Sequence, residues 1–184
     1  MMANTLNQER GATLIEVLVA ILVLSFGMLA LAGMMAYSVQ LPKFAAYRAT
    51  AAVLAADHVE RIRANASGFA QDFYKETMTY GQTPTPHTPC VYPNCTAQLL
   101  AQLDKFESNQ AIRAALPQGG MRVTCNGACT SLSGDLWVMW QEPTTFASLG
   151  AATSDECPDA TVAPTFTPFT AANQPRCLHI KFQL

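Results

Sequence analysis

A single carboxylate, Glu16, stands directly before a long apolar run in this 184-residue chain. The 20 residues from Val17 to Ala36 carry no charge, and at about 1.5 Å per residue such a helix covers the roughly 30 Å hydrocarbon core of a bilayer. An ionised group at the edge of that core is costly and is a functional residue by default. The chemistry that suits it is an ion pair with a cation of a neighbouring chain, since opposite charges attract strongly at low dielectric constant. A solvated carboxylate that tilts towards the headgroups is the alternative.

Six cysteines form the second set of reactive side chains, and all follow the apolar run: Cys90, Cys95, Cys125, Cys129, Cys157 and Cys177. An even number on one side of a membrane segment indicates disulfides in an oxidising compartment, most simply a periplasm. The sequence leaves the pairing open, and we favour neighbours: Cys90–Cys95, Cys125–Cys129 and Cys157–Cys177. Zinc binding by the first four thiolates is the alternative, although neither pair has the two-residue spacing common in zinc sites.

No pattern of residues predicts catalysis. The three histidines, His58, His87 and His179, are scattered, and there is no glycine-rich phosphate loop or paired-carboxylate motif. A net charge of −2 with 13% charged residues provides no basic surface for nucleic acid. We therefore predict a protein that is not an enzyme and has no catalytic residue, cofactor or metal, and we expect His58 to be a packing residue.

Hydrophobic spacing predicts the elements that position these residues. A stripe with intervals of three or four residues predicts that the helix continues beyond the membrane, bends near residues 38–42 at Pro42 and ends at Asn65–Gly68. The stripe consists of Phe44, Tyr47, Ala51, Leu54, His58 and Ile62. A second amphipathic helix is predicted over residues 96–116, with its inward side formed by Leu99, Leu103, Phe106, Ile112 and Leu116.

Alternating residues near 121–125, 135–141 and 178–184 predict the strands of an antiparallel sheet with one apolar face. Trp137 and Trp140 are three residues apart on a strand, so we expect one in the core and the other on the opposite face. Residues 143–176 are predicted to be a long surface loop. The predicted fold is α+β: a long N-terminal membrane-spanning helix that continues into a periplasmic domain and packs against a small antiparallel sheet.

The spacing from Gly11 to Glu16, followed at once by the apolar run, resembles the prepilin signal of type IV pilins. In that family prepilin peptidase cuts after the glycine of a polar leader, the new N-terminal residue is N-methylated, and the fifth mature residue is a glutamate. The resemblance implies cleavage between Gly11 and Ala12, methylation of Ala12, and a role for Glu16 in subunit assembly. It also implies a leader over 1–11, a transmembrane and filament-core helix over 12–36, and a periplasmic pilin-like globular domain over 37–184.

The run Glu60-Arg61-Ile62-Arg63-Ala64-Asn65 narrows the resemblance to the PilV branch of minor pilins, which take part in type IV pilus modification and assembly. This implies a single-pass protein of the bacterial inner membrane with its C-terminal domain in the periplasm, which later enters the pilus. The implied partners are prepilin peptidase, other minor pilins, the major pilin, a large tip adhesin and the inner membrane, with no nucleic acid. A charged helix end whose basic groups suit the C-terminal dipole is the alternative for this run.

Two other functions share some of these features. A type II secretion pseudopilin would have the same N-terminal motif, usually with a smaller and cysteine-poor domain. A signal-anchored periplasmic enzyme or binding domain would make Glu16 incidental. A secretory signal peptide fits poorly, because its apolar core usually has about 7–15 residues.

Overall fold

One helix, α1, accounts for more than a quarter of the chain. It extends from Leu14 to Ala64, 51 residues, and joins the apolar run to the amphipathic stretch that follows. Pro42 lies inside it. Proline removes a backbone donor and crowds the carbonyl four residues earlier, yet α1 continues past it. The bend expected near residues 38–42 therefore stays a prediction, whereas the expected end of the helix is confirmed.

The computed structural model describes residues 13–77, 79–86, 90–91, 93–141, 157–158 and 175–184. Within α1 the chain divides into two compact units, one ending at Lys43 and the other spanning Phe44–Leu184. The first unit contains a helical stretch, Leu14–Met35, that is long and apolar enough to cross a membrane. The second unit contains the hydrophobic core.

The second half of α1 contributes the predicted stripe to that core. Ala51, His58 and Ile62 are fully buried, and Tyr47 and Leu54 are half-buried against the same cluster. Asn65 follows the last residue of α1 and begins α2, the short helix Ala66–Ala70, because its side-chain oxygen accepts a hydrogen bond from the Gly68 amide. The chain thus turns at the sequence Asn-Ala-Ser-Gly, as expected.

Helix α3 spans Ala97–Ala115 and begins at Thr96, whose hydroxyl accepts a hydrogen bond from the Leu99 amide. The predicted range is confirmed, but the predicted inward face is partly wrong. Ile112 and Leu116 are buried, whereas Leu99, Leu103 and Phe106 are only half-buried. The fully inward side also includes polar residues, namely Asp104, Ser108 and Asn109. These polar side chains can be buried because they form hydrogen bonds with other parts of the domain, so the buried face of α3 differs from the one predicted from its apolar residues.

Three strands form one antiparallel sheet in the order β1-β2-β3. Their ranges are Gly120–Cys125 for β1, Ser133–Trp140 for β2 and Arg176–Gln183 for β3. Val123, Leu136 and Ile180 are paired across the sheet and lie on its core face. Arg122, Trp137 and His179 are paired in the same way on the opposite face.

The arrangement of Trp137 and Trp140 agrees with the prediction for the strand. Trp140 is 3% exposed and belongs to the core cluster, and Trp137 lies half-buried on the other face. A long N-terminal apolar helix, two further helices and a small antiparallel sheet make up an α+β fold. The predicted fold class is confirmed.

Candidate assembly segment and its supporting clusters

Glu16 lies in the first turn of α1, and its amide donates to the Thr13 carbonyl at 3.0 Å. An acidic residue suits this position, because unpaired backbone amides give a helix N-terminus a partial positive charge. Within the described part of the chain the exposed Glu16 carboxylate has no ion-pair partner. The other predicted processing residues, Gly11 and Ala12, lie outside the described residues.

The helix after Glu16 presents apolar side chains in every direction. Its large hydrophobic residues from Leu14 to Met35 have exposed fractions between 47% and 91%. The hydroxyl of Ser25 donates to the Ile21 carbonyl at 2.7 Å, so it is satisfied within the helix itself. Such a surface is unfavourable in water and requires a cover of lipid or of other helices.

Arg61 connects α1 to α3 through three carboxylates. Its Nε donates to Asp57 on the same helix at 2.9 Å. Its Nη1 donates across to α3, to Glu107 at 2.6 Å and to Asp104 at 3.3 Å. The Asp104 side chain is only 9% exposed, so its pairing with Arg61 offsets the cost of removing a charge from water.

Tyr74 and Asn65 complete the polar cluster around Asp104. The Tyr74 hydroxyl donates to the second carboxylate oxygen of Asp104. It also accepts a hydrogen bond from the side-chain amide of Asn65 at 3.2 Å. Burial raises the pKa of Tyr74, and the bond to Asp104 raises it further, so the hydroxyl stays a donor. The other amide hydrogen of Asn65 goes to the Ala97 carbonyl at the start of α3, at 2.8 Å. Asn65 therefore fixes the end of α1, the beginning of α2 and the beginning of α3 together.

His58 is a buried contact between the same two helices. Its Nδ1 lies 2.8 Å from the Ser108 hydroxyl, and its Nε2 is buried without a hydrogen-bond partner among the described groups. Burial lowers the pKa of His58 from 6.5 to about 4, and the nearby charge of Arg61 lowers it further. A neutral imidazole at this position agrees with the expected packing role.

The six cysteines form three disulfides: Cys90–Cys95, Cys125–Cys129 and Cys157–Cys177. This is the pairing of neighbours favoured from the sequence. Asp72 places a carboxylate oxygen within 4.8 Å of the sulfurs of Cys125 and Cys129. Those two sulfurs are bonded to each other and are not available as thiolates, so the structure gives no support to the zinc alternative.

On the outer face of the sheet, Trp137 stacks on His179 with ring centroids 4.5 Å apart and planes inclined by 3°. The Arg122 guanidinium carbon lies 5.6 Å from the Trp137 ring centroid. His179 Nε2 is 2.7 Å from a carboxylate oxygen of Asp135. This row joins all three strands by stacking and cation–π contacts, which are stabilising interactions rather than a reaction centre.

Sequence reasoning identified Glu16 and the cysteines but missed the cluster around Asp104. The run from Glu60 to Asn65 was interpreted through its resemblance to the PilV branch, with a charged helix end as the alternative. Neither interpretation predicted that it supplies Arg61 and Asn65 to this cluster and Ile62 to the core. One signal was available. Asp104, Ser108 and Ile112 follow one another at intervals of four residues, which places them on one side of α3.

Two family models match the chain. Residues 6–32 match the prokaryotic N-terminal methylation motif, and residues 35–106 match the model described as Type IV pilin Tt1218. The second match includes Arg61, Asn65, Tyr74 and Asp104, whereas the sheet lies beyond it. The comparisons with curated proteins and with solved structures gave no match. The two family matches agree with each other and with the α+β fold: over the matched residues the chain is similar to type IV pilins and to the N-terminal methylation motif.

Proposed function

We propose that the chain is a minor pilin that is inserted in the bacterial inner membrane and takes part in the initiation and assembly of type IV pili. The observation that carries this proposal is the uncovered apolar helix Leu14–Met35, most of which falls within the matched methylation motif of residues 6–32. Lipid covers this helix first, with residues 37–184 in the periplasm. Neighbouring pilin helices cover it later, inside the filament.

Processing prepares the helix for that exchange. Prepilin peptidase removes residues 1–11, and methylated Ala12 becomes the N-terminus. Glu16 is then the fifth mature residue, and its carboxylate pairs with the terminal amine of an adjacent subunit. Because lipid tails are as apolar as the helix itself, hydrophobicity does not distinguish lipid from a neighbouring subunit. The ion pair supplies that distinction and fixes the axial register.

The finer assignment is to the PilV branch. It is supported by the run Glu60–Asn65, whose Arg61 and Asn65 side chains hold α3 against α1. On this assignment the partners are other minor pilins, the major pilin and a large tip adhesin. The polar cluster has a structural role in presenting the domain to them, and no chemistry is assigned to it.

The proposal is tested by Glu16→Val in cells that make pili and prepilin peptidase. The variant removes the charge and keeps the length of the apolar helix, so membrane insertion and removal of eleven residues should be unaffected. We expect it to be at least about tenfold depleted from sheared filaments, because the terminal amine of the adjacent subunit would be left desolvated and unpaired, which costs more than about 1.4 kcal/mol. Mass spectrometry of the membrane and filament fractions measures both quantities.

The matched control is Ser25→Ala, which changes a polar residue of the same helix whose hydroxyl is bonded only within the helix. It should enter filaments like the wild type. Normal incorporation of Glu16→Val would remove the assembly role of Glu16. A wild-type protein that keeps its first eleven residues beside active peptidase would contradict the pilin function as a whole.

A further inference from the structure

A polar groove of about 420 Å³ lies between α3 and residues 76–77 and 79–86. One wall is formed by α3, with Gln102, Phe106 and Asn109 facing the groove. The other wall comes from the proline-punctuated segment, including Thr83 and Thr85. A groove of this size is within the usual range for small-molecule sites, about 300–1,000 Å³.

Hydrogen bonds anchor the groove to the rest of the domain at Glu76, Thr79 and Asn109. The backbone of Glu76 exchanges two hydrogen bonds with Val123 of β1, at 3.1 and 3.2 Å. The Thr79 hydroxyl accepts from the Met121 amide at 2.8 Å and donates to Asn109 on α3 at 2.5 Å. This side of the groove is therefore held in place before any ligand arrives, which reduces the entropic cost of binding.

The charges in the groove offset each other. Lys105 Nζ lies 3.8 Å from a carboxylate oxygen of Glu76, and their side chains are 21% and 18% exposed. Lys105 also donates to the Lys75 carbonyl at 3.3 Å. With this pair neutralised, the remaining polar groups of the groove are hydroxyls and amides. A neutral ligand suits such a lining better than an anion or a cation does.

Several of these groups are available for a ligand. Within the described part of the chain, the side chains of Gln102, Thr83 and Thr85 have no hydrogen-bond partner. Each of them can donate and accept, as the hydroxyl of a sugar also does. Phe106 and Pro84 add apolar surface for the carbon–hydrogen face of a sugar ring. We propose that this groove binds a neutral saccharide of one or two rings.

A peptide fits the same groove less well. Peptides are recognised by strand edges, by apolar grooves that take a helix, or by aromatic-lined grooves that take proline-rich segments. Here one wall is the polar side of a helix, and the other wall itself contains the prolines. The inference concerns a surface of the folded domain and does not depend on the assembly role of Glu16.

The test is a titration of the full chain in a polyoxyethylene detergent, because detergents with sugar headgroups would compete. The probes are methyl β-galactoside, N-acetylglucosamine, maltose and lactose, followed by NMR of the side-chain amides of Gln102 and Asn109. We expect saturable shifts with at least one probe. Gln102→Ala should weaken binding about fivefold, the loss expected for one hydrogen bond.

The matched control is Gln110→Ala, an exposed glutamine of the same helix that does not line the groove. It should bind like the wild type, and Thr85→Ala should weaken binding as Gln102→Ala does. The proposal is overturned if none of the four sugars shifts these resonances, or if Gln102→Ala and Gln110→Ala bind equally. Tighter binding of the neutral peptide acetyl-Thr-Gln-Thr-amide would also overturn it.

Discussion

His58 and Arg61 lie about one turn apart on α1, and both reach α3 by different chemistry. Arg61 is charged and pairs with carboxylates. His58 is buried as the neutral imidazole, because burial lowers its pKa. Both residues are separated from their partners on α3 by more than 40 positions in sequence. A single sequence therefore shows the type of each residue but not the contact that explains it.

The burial of His58 predicts a pH dependence of stability. Its pKa is about 6.5 when unfolded and about 4 when folded, so between these values the unfolded chain binds more protons. Above pH 6.5, His58 should not make the free energy of unfolding depend on pH. By pH 4, its protonation in the unfolded chain should lower that free energy by about 3 kcal/mol. Urea unfolding of wild type and His58→Gln at several pH values measures the difference between the two proteins.

Both proteins contain the same carboxylates, so the effect of carboxylate protonation cancels in the difference between their free energies of unfolding. Gln110→Ala is the control, because it changes an exposed, uncharged residue, keeps His58 and should lose stability over the same pH range as the wild type. Parallel curves for wild type and His58→Gln would contradict a proton-excluding role for this histidine.

Arg61 and Arg63 provide a matched pair of substitutions within one motif. Arg61→Met should lower the free energy of unfolding by about 2 kcal/mol, because among the described residues only Tyr74 would then remain as a partner of the nearly buried Asp104. Arg63 pairs with Glu60 on the exposed side of α1, so Arg63→Met should cost less than about 0.5 kcal/mol. Equal losses in urea unfolding would mean that the contact with α3 does not contribute to stability.

At the scale of elements, hydrophobic periodicity predicted the positions of the helices and strands better than it predicted which residues are buried. It located α1, α3 and all three strands, because apolar spacing reflects burial whatever the burial partner is. On α3 it predicted the buried Ile112 and Leu116 but missed Asp104, Ser108 and Asn109, whose polar side chains are buried in contact with Tyr74, His58 and Thr79. The predicted loop over 143–176 lies almost entirely outside the described residues and stays a prediction.

The disulfides differ in how much chain they constrain. Cys157–Cys177 joins residues 20 positions apart, whereas Cys90–Cys95 joins residues 5 apart. On a chain-entropy account, replacing the first pair by serines should cost about 3 kcal/mol and replacing the second about 2 kcal/mol. Urea midpoints of the two double-serine variants, measured in one detergent, test the order. A larger loss from the Cys90/Cys95 variant would show that the closed loop does not set the stabilisation.

In the molecule as a whole, the hydrophobic core and the apolar helical stretch Leu14–Met35 lie in different parts of the chain. Every buried residue of the core cluster lies at or after Ala51, within the unit Phe44–Leu184. A fragment of residues 44–184 should therefore fold cooperatively and stay in solution without detergent, because the exposed apolar side chains of residues 14–35 are gone. Circular dichroism during urea titration measures this. A fragment without a cooperative transition would show that the domain needs its N-terminal helix.

The bond between Cys157 and Cys177 has a consequence for how the molecule responds to cleavage. A protease that cuts the backbone between residues 158 and 176 separates β3 from the rest of the polypeptide, but the sulfur bridge keeps the two pieces joined. Electrophoresis would show one band before reduction and two bands after it. In denaturant, where the pairing of β3 with β2 is lost, a subunit nicked there would keep its last strand until a reductant broke the bridge.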